Sequence, residues 1–174
     1  MDETIMGMSA ILLGGFHEGC KDMFDKKCKE LGTDTLAPRD ALDLLENGGV
    51  EVGKVIAGDV DFYGFLTLVS GVLKEDFDNG REQATNIFFR CFLLGLQCLK
   101  ETFKLGDKDG NGYITVPEFQ RWMEVCKKEA KEAILELDRD GDGKLSFAEF
   151  RDEFLDAFLE RVELERKIMD AAGY

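Results

Sequence analysis

Histidine is nearly missing from this 174-residue chain, since His17 is the only one. A single imidazole makes a poor transition-metal site and a poor catalytic base, and no other nucleophile stands beside a base. No glycine-rich loop suited to cradling phosphate is present either, so the sequence reads as a non-enzyme. Basic residues are scarce, 22 against 36 acidic ones, and the net charge of −14 argues against nucleic acid as a partner. The five cysteines (Cys20, Cys28, Cys91, Cys98 and Cys126) are odd in number and form no C-x-x-C. They read as reduced, core-filling thiols in a cytoplasmic protein. Long apolar runs are lacking too. The stretch 5–16 is apolar but follows Asp2 and Glu3 and is too short for a bilayer, so neither a signal peptide nor a transmembrane segment is expected. Asp2 also leaves no N-myristoylation pattern.

What is abundant is acid at fixed spacing. The pattern Asp107-Lys108-Asp109-Gly110-Asn111-Gly112-Tyr113-Ile114-Thr115-Val116-Pro117-Glu118 returns 31 residues later as Asp138-Arg139-Asp140-Gly141-Asp142-Gly143-Lys144-Leu145-Ser146-Phe147-Ala148-Glu149. A hard cation such as Ca²⁺ takes six to eight oxygen ligands, and a twelve-residue loop supplies them when alternate side chains turn inward. Positions 1, 3 and 5 are Asp107, Asp109 and Asn111 in the first copy, and Asp138, Asp140 and Asp142 in the second. Gly112 and Gly143 at position 6 permit the sharp turn. Tyr113 and Lys144 at position 7 offer only a carbonyl, while Thr115 and Ser146 at position 9 reach the ion directly or through water. Glu118 and Glu149 at position 12 return from the following helix with both oxygens. Ile114 and Leu145 at position 8 are apolar, which lets the two loops pair by a short antiparallel bridge. Two calcium ions would bring the formal charge from −14 to −10.

These residues resemble the EF-hand superfamily, closely from Gln97 to Leu159. The resemblance implies an all-α fold, with two pairs of helix-loop-helix units fused into one compact body and short antiparallel loop pairing. Two worn copies complete the count. Leu36 at position 8 leaves Lys29, Leu31 and Thr33 at positions 1, 3 and 5, and Val60 at position 8 leaves Gly53, Val55 and Ala57, none of which can ligate calcium. The expected organisation is a lobe over residues 1–76 with two degenerate units and a lobe over residues 77–174 with two functional ones.

Apolar periodicity predicts helices over 17–31, 39–46, 62–74, 81–105, 118–128, 129–137 and 148–169. A link between the lobes is expected over 75–80, with Asp78 or Asn79 capping the next helix and Glu82 in its first turn. The stretch 87–99 is apolar almost all round, which predicts a helix buried on every side. Gly106 departs from the family pattern, which places an aromatic or aliphatic residue just before the loop.

The resemblance implies calcium as ligand, with Mg²⁺ competing for the same two sites. Phenylalanine is abundant (14) and methionine sparse in the paired lobe, which suggests a closed core. The reading therefore favours an intracellular, monomeric Ca²⁺/Mg²⁺ buffer similar to the sarcoplasmic calcium-binding proteins. The alternative is a sensor or adaptor that binds a helical protein target through an apolar groove. A lesser one is a binder of a small apolar ligand, in the manner of the EF-hand photoproteins.

Overall fold

A computed structural model describes residues 3–52, 56–81 and 84–172. Seven helices and one two-stranded sheet lie among them: α1 (Glu3–Leu31), α2 (Pro38–Asn47), α3 (Phe62–Asp78), α4 (Ile87–Gly106), β1 (Tyr113–Ile114), α5 (Val116–Met123), α6 (Lys127–Leu137), β2 (Leu145–Ser146) and α7 (Phe147–Ala172). No helix among the described residues is long and apolar enough to cross a membrane. The chain divides into two units, Ala10–Gly95 and Leu96–Tyr174 with Met1–Ser9.

In the first unit, α1 lays Leu13, Phe16, Cys20 and Phe24 along one buried stripe at helical spacing. Phe16 meets Phe92 of α4 at 4.7 Å between ring centroids, and Phe24 meets Phe62 and Phe65 of α3 at 5.7 and 5.8 Å. His17 stands edge-on to Phe62, an aromatic packing role. Leu36 and Val60, the two residues at position 8 of the worn loops, form an antiparallel bridge. Each backbone N–H donates to the other's carbonyl at 2.9 Å. The expected position 5 residue Ala57 is described, whereas Gly53 and Val55 lie outside the described residues.

Boundaries differ from expectation most at four places, the first being that α1 begins at Glu3 and not at residue 17, so the apolar stretch 5–16 is part of one continuous helix. Helix α3 runs through 75–78, where a link is predicted, and ends at Asn79, whose amide donates to the Glu75 carbonyl. The next helix begins only at Ile87, because Asn86 Oδ1 accepts from the amides of Phe88 (2.8 Å) and Phe89 (3.4 Å) and caps it. Glu82, expected in its first turn, lies outside the described residues. Helix α5 stops at Met123 instead of reaching Lys128, since Glu124 adopts a left-handed conformation (φ 54°) and Glu129 reaches back to the Cys126 amide to open α6.

Helix α4 is not buried on every side. Phe89, Phe92, Leu96 and Leu99 are sealed, but Ile87 (61% exposed) and Leu94 (52%) share an open edge with Arg90, Gln97 and Glu101. Those polar residues recur on the same edge, a period that overall apolar content conceals.

Glycines inside α1 separate by what lies beside them. A Cβ at Gly14 or Gly15 would meet nothing within 4 Å, whereas one at Gly19 would run into the Phe88 ring. Gly14→Ala and Gly15→Ala are therefore expected to stabilise by about 1 kcal/mol through helix propensity. Gly19→Ala is expected to destabilise by about 1–3 kcal/mol through overpacking. Urea denaturation of the three variants checks the opposite signs.

In the second unit, Phe103, Ile114, Phe119, Ala130, Ile134 and Leu145 form a buried cluster. Phe147 and Phe150 of α7 approach Phe103 at 5.6 and 5.9 Å. Strands β1 and β2 pair antiparallel, with Tyr113 opposite Ser146 and Ile114 opposite Leu145. This is the position 8 pairing expected of the two intact loops.

Candidate metal centre

Each intact loop is wound by its own acids. Asp107 Oδ1 accepts from the Asn111 amide (3.1 Å) and its Oδ2 from the Gly112 amide (2.9 Å). Asp138 accepts from the amides of Gly141 and Gly143, both at 2.7 Å. Gly112 and Gly143 sit at φ 88° and 82°, so position 6 requires the backbone freedom that the turn chemistry demands. Gly110 and Gly141 at position 4 are left-handed as well, a requirement that the ligand spacing alone does not reveal.

The twelfth residue closes each loop from the following helix. Glu118 Oε2 accepts from the Thr115 amide (3.0 Å) and hydroxyl (2.6 Å), and its Oε1 accepts from the Lys108 amide (3.1 Å). Glu149 repeats this with the Ser146 amide (2.8 Å), the Ser146 hydroxyl (2.7 Å) and the Arg139 amide (2.9 Å). Both carboxylates are buried, at 5% and 8% exposure.

These bonds gather the acids. Carboxylate oxygens of Asp107, Asp109 and Glu118 lie within 4.8 Å of one another, as do those of Asp138, Asp140 and Glu149. Oxygens on opposite sides of one calcium ion stand about 4.6–5.2 Å apart, so each cluster has the right size and a hard, all-oxygen donor set. Asn111 and Asp142 are turned to local work, their Oδ1 atoms accepting from the amides of Tyr113 and Lys144, each at 2.9 Å. At position 7 the two side chains meet each other, Lys144 Nζ lying 5.2 Å from the centre of the Tyr113 ring. The worn loops bring no comparable cluster together among the described residues.

Burial pushes the Glu118 carboxyl up, but the Thr115 hydroxyl and the amides of Thr115, Asp109 and Lys108 together hold it below the ordinary glutamate value. Glu149 is held down in the same way, against burial, by Ser146, Arg139 and Asp140. Asp140 goes the other way. The Asp142 amide lowers it, yet desolvation and the charges of Asp142 and Glu149 leave it raised overall. In the metal-free chain the two glutamates thus contribute stability above their ordinary value, and lose it as pH falls through their depressed folded values. Melting curves in EDTA from neutral pH to pH 3 should fall less steeply for the Glu118→Gln, Glu149→Gln double variant than for the wild type.

The two hands differ at the joint between entry and exit helices. A Cβ at Gly106 would come within 2.5 Å of Ile114 Cδ1 and 2.8 Å of Trp122 Cε3, so the absent side chain is replaced by an indole from α5. That indole packs on Phe119 and Phe150 at 6.1 and 6.0 Å. Its Nε1 is sealed from solvent and, among the described residues, is the one buried side-chain polar atom without a partner. Such a group costs about 1–3 kcal/mol. In the second hand Leu137 occupies the place of Gly106, and Arg139 reaches α7 through Asp156 (2.7 Å) and Glu153 (3.5 Å). The sequence marks Gly106 as unusual but does not show that Trp122 fills its space.

Comparison with known proteins agrees with this geometry. Residues 98–159 match the family model of the EF-hand domain pair. Relatives include troponin C isoform 2 of Caenorhabditis elegans, 32% identical over 100 residues that make up 54% of each chain. Troponin C of Tyrophagus putrescentiae is 28% identical over 58% of this chain and 60% of its own. Troponin C isoform 1 of Balanus nubilus is 27% identical over 74% of this chain and 81% of its own. The chain thus spans little more than half the length of the first two. Its acid clusters, its loop pairing and these matches converge on one identification: residues 98–159 are an EF-hand domain pair, related to those of troponin C and calmodulin-like calcium-binding proteins.

Proposed function

We propose that this chain is a calcium sensor of troponin C type, with two ion sites in its C-terminal half and a first half that keeps its shape without metal. The observation that carries this reading is the contrast between the halves. Leu36 and Val60 join the worn loops by backbone bonds alone, while Ile114 and Leu145 join loops that each gather three carboxylates. A buffer would gain nothing from a half that stores no ions. A sensor gains a fixed part beside a responsive one.

In this reading the ligands are Asp107, Asp109, Asn111, Thr115 and Glu118 with the Tyr113 carbonyl, and Asp138, Asp140, Asp142, Ser146 and Glu149 with the Lys144 carbonyl. Bound Ca²⁺ supplies the double positive charge that offsets the repulsion within each cluster. The Oδ1 atoms of Asn111 and Asp142 each keep a second lone pair for the ion while they accept from their local amides, and Glu118 and Glu149 close on the ion from beside the aspartates they already stand among. Since each glutamate rides on its exit helix, α5 and α7 move with them. The lobes 1–76 and 77–174, a cytoplasmic setting and a helical target belong to the same proposal.

The test is ANS fluorescence in excess Mg²⁺, before and after Ca²⁺ saturates both loops, beside calorimetric titration. A large rise on Ca²⁺ with two ions bound supports the sensor. Two ions bound with no rise in ANS would return the chain to the buffer reading.

A further inference from the structure

Trp122 sits four residues beyond Glu118, one turn further along α5 and on the same face. Its counterpart 31 residues on is Glu153, half exposed, and the counterpart of Gly106 is Leu137. The second hand therefore seats its joint on an entry-helix side chain, whereas the first seats an exit-helix indole on bare backbone. Two further features single out this indole. It cannot sink deeper, because Gly106, Ile114, Phe119 and Phe150 already surround it. Its N–H, sealed and without an acceptor, would regain water if the ring moved outward.

We propose that Trp122 is a positioning residue that couples the first loop to opening of the core. Seated on Gly106, the indole holds α5 against the end of α4. When Glu118 closes on a cation shared with Asp107 and Asp109, α5 shifts and lifts the ring from the glycine. Glu118 and Trp122 share a rigid turn, so neither moves alone. The unsatisfied N–H biases the joint toward release, so this hand responds readily to a small displacement of its twelfth ligand. This inference rests on the sensor reading above.

Trp122 is the only tryptophan, so the emission of the unmodified chain reports this residue alone. The experiment titrates CaCl₂ into the full chain after EDTA treatment, following emission wavelength and acrylamide quenching with calorimetry and ANS in parallel. The expected result is a red shift and easier quenching as the first loop fills, lost in Glu118→Gln and retained in Glu149→Gln. Gly106→Ala should displace the ring, giving red-shifted emission already in EDTA and a first-loop affinity raised about threefold or more by the pre-opened joint. If the glycine served only the helix, alanine would raise the melting temperature and leave the emission unchanged. Unchanged emission while calorimetry shows the first loop filled would overturn the coupling, as would a change that follows only the second loop. A rise in ANS with silent tryptophan would sink the coupling alone. Silence in both would sink the sensor reading as well.

Discussion

Glu118→Gln is expected to lower calcium affinity in the first loop on the order of a hundredfold, about 2.7 kcal/mol, and Glu149→Gln to do the same in the second. The amide keeps the size of the side chain but loses the charge and one of the two equivalent oxygens. It also presents an NH₂ group to Asp107 and Asp109, or to Asp138 and Asp140. Each glutamate accepts only N–H and O–H donors in the present geometry, so the substitution turns an acceptor pair into a donor and an acceptor. Loss should fall on one site per variant. Calorimetry that gave two wild-type affinities in both variants would refute the assignment of these residues as ligands.

Phe103→Ala is expected to destabilise the second unit by about 3–5 kcal/mol, a large part of the 5–15 kcal/mol typical of a whole domain. Phe103 is 4% exposed and belongs to the cluster beneath both strands, facing Phe147 and Phe150 of the helix that carries Glu149. The variant should bind calcium more weakly at both loops, although residue 103 lies outside both twelve-residue patterns. Saturating calcium should restore part of the loss, about 2.7 kcal/mol per site at a hundred times Kd. Urea unfolding in EDTA and in excess calcium measures both quantities. A loss in EDTA below about 1 kcal/mol would show that the cavity closes and that Phe103 is not the keystone of this unit.

The loops were legible because ligand geometry fixes residue type at fixed positions. Position 8 proved informative even where the ligands are gone, for Leu36 and Val60 pair just as Ile114 and Leu145 do. Burial of an apolar side chain and a backbone bridge at that point are needed whether or not an ion is held. Helix ends were less legible. Asn79 and Asn86 are both competent caps, and only the fold decides that α3 ends at one and α4 begins after the other. Glu124 has no sequence signal for a left-handed turn, and it is the exit of α5 toward Cys126 that imposes it. Trp122 and Gly106 lie 16 residues apart, and their fit depends on the angle between two helices, which local spacing does not encode.

The bridge between Leu36 and Val60 contains two backbone hydrogen bonds and no carboxylate. Its strength is therefore indifferent to free calcium. In heavy water the Leu36 and Val60 amide protons should persist equally long with chelator or with calcium, while those across the β1 and β2 pairing exchange faster when the ions are stripped. A chelator would thus loosen the chain at one end and leave the other as it was. A loop without acids serves here as a fixture, held by its backbone bridge and by the burial of Leu36.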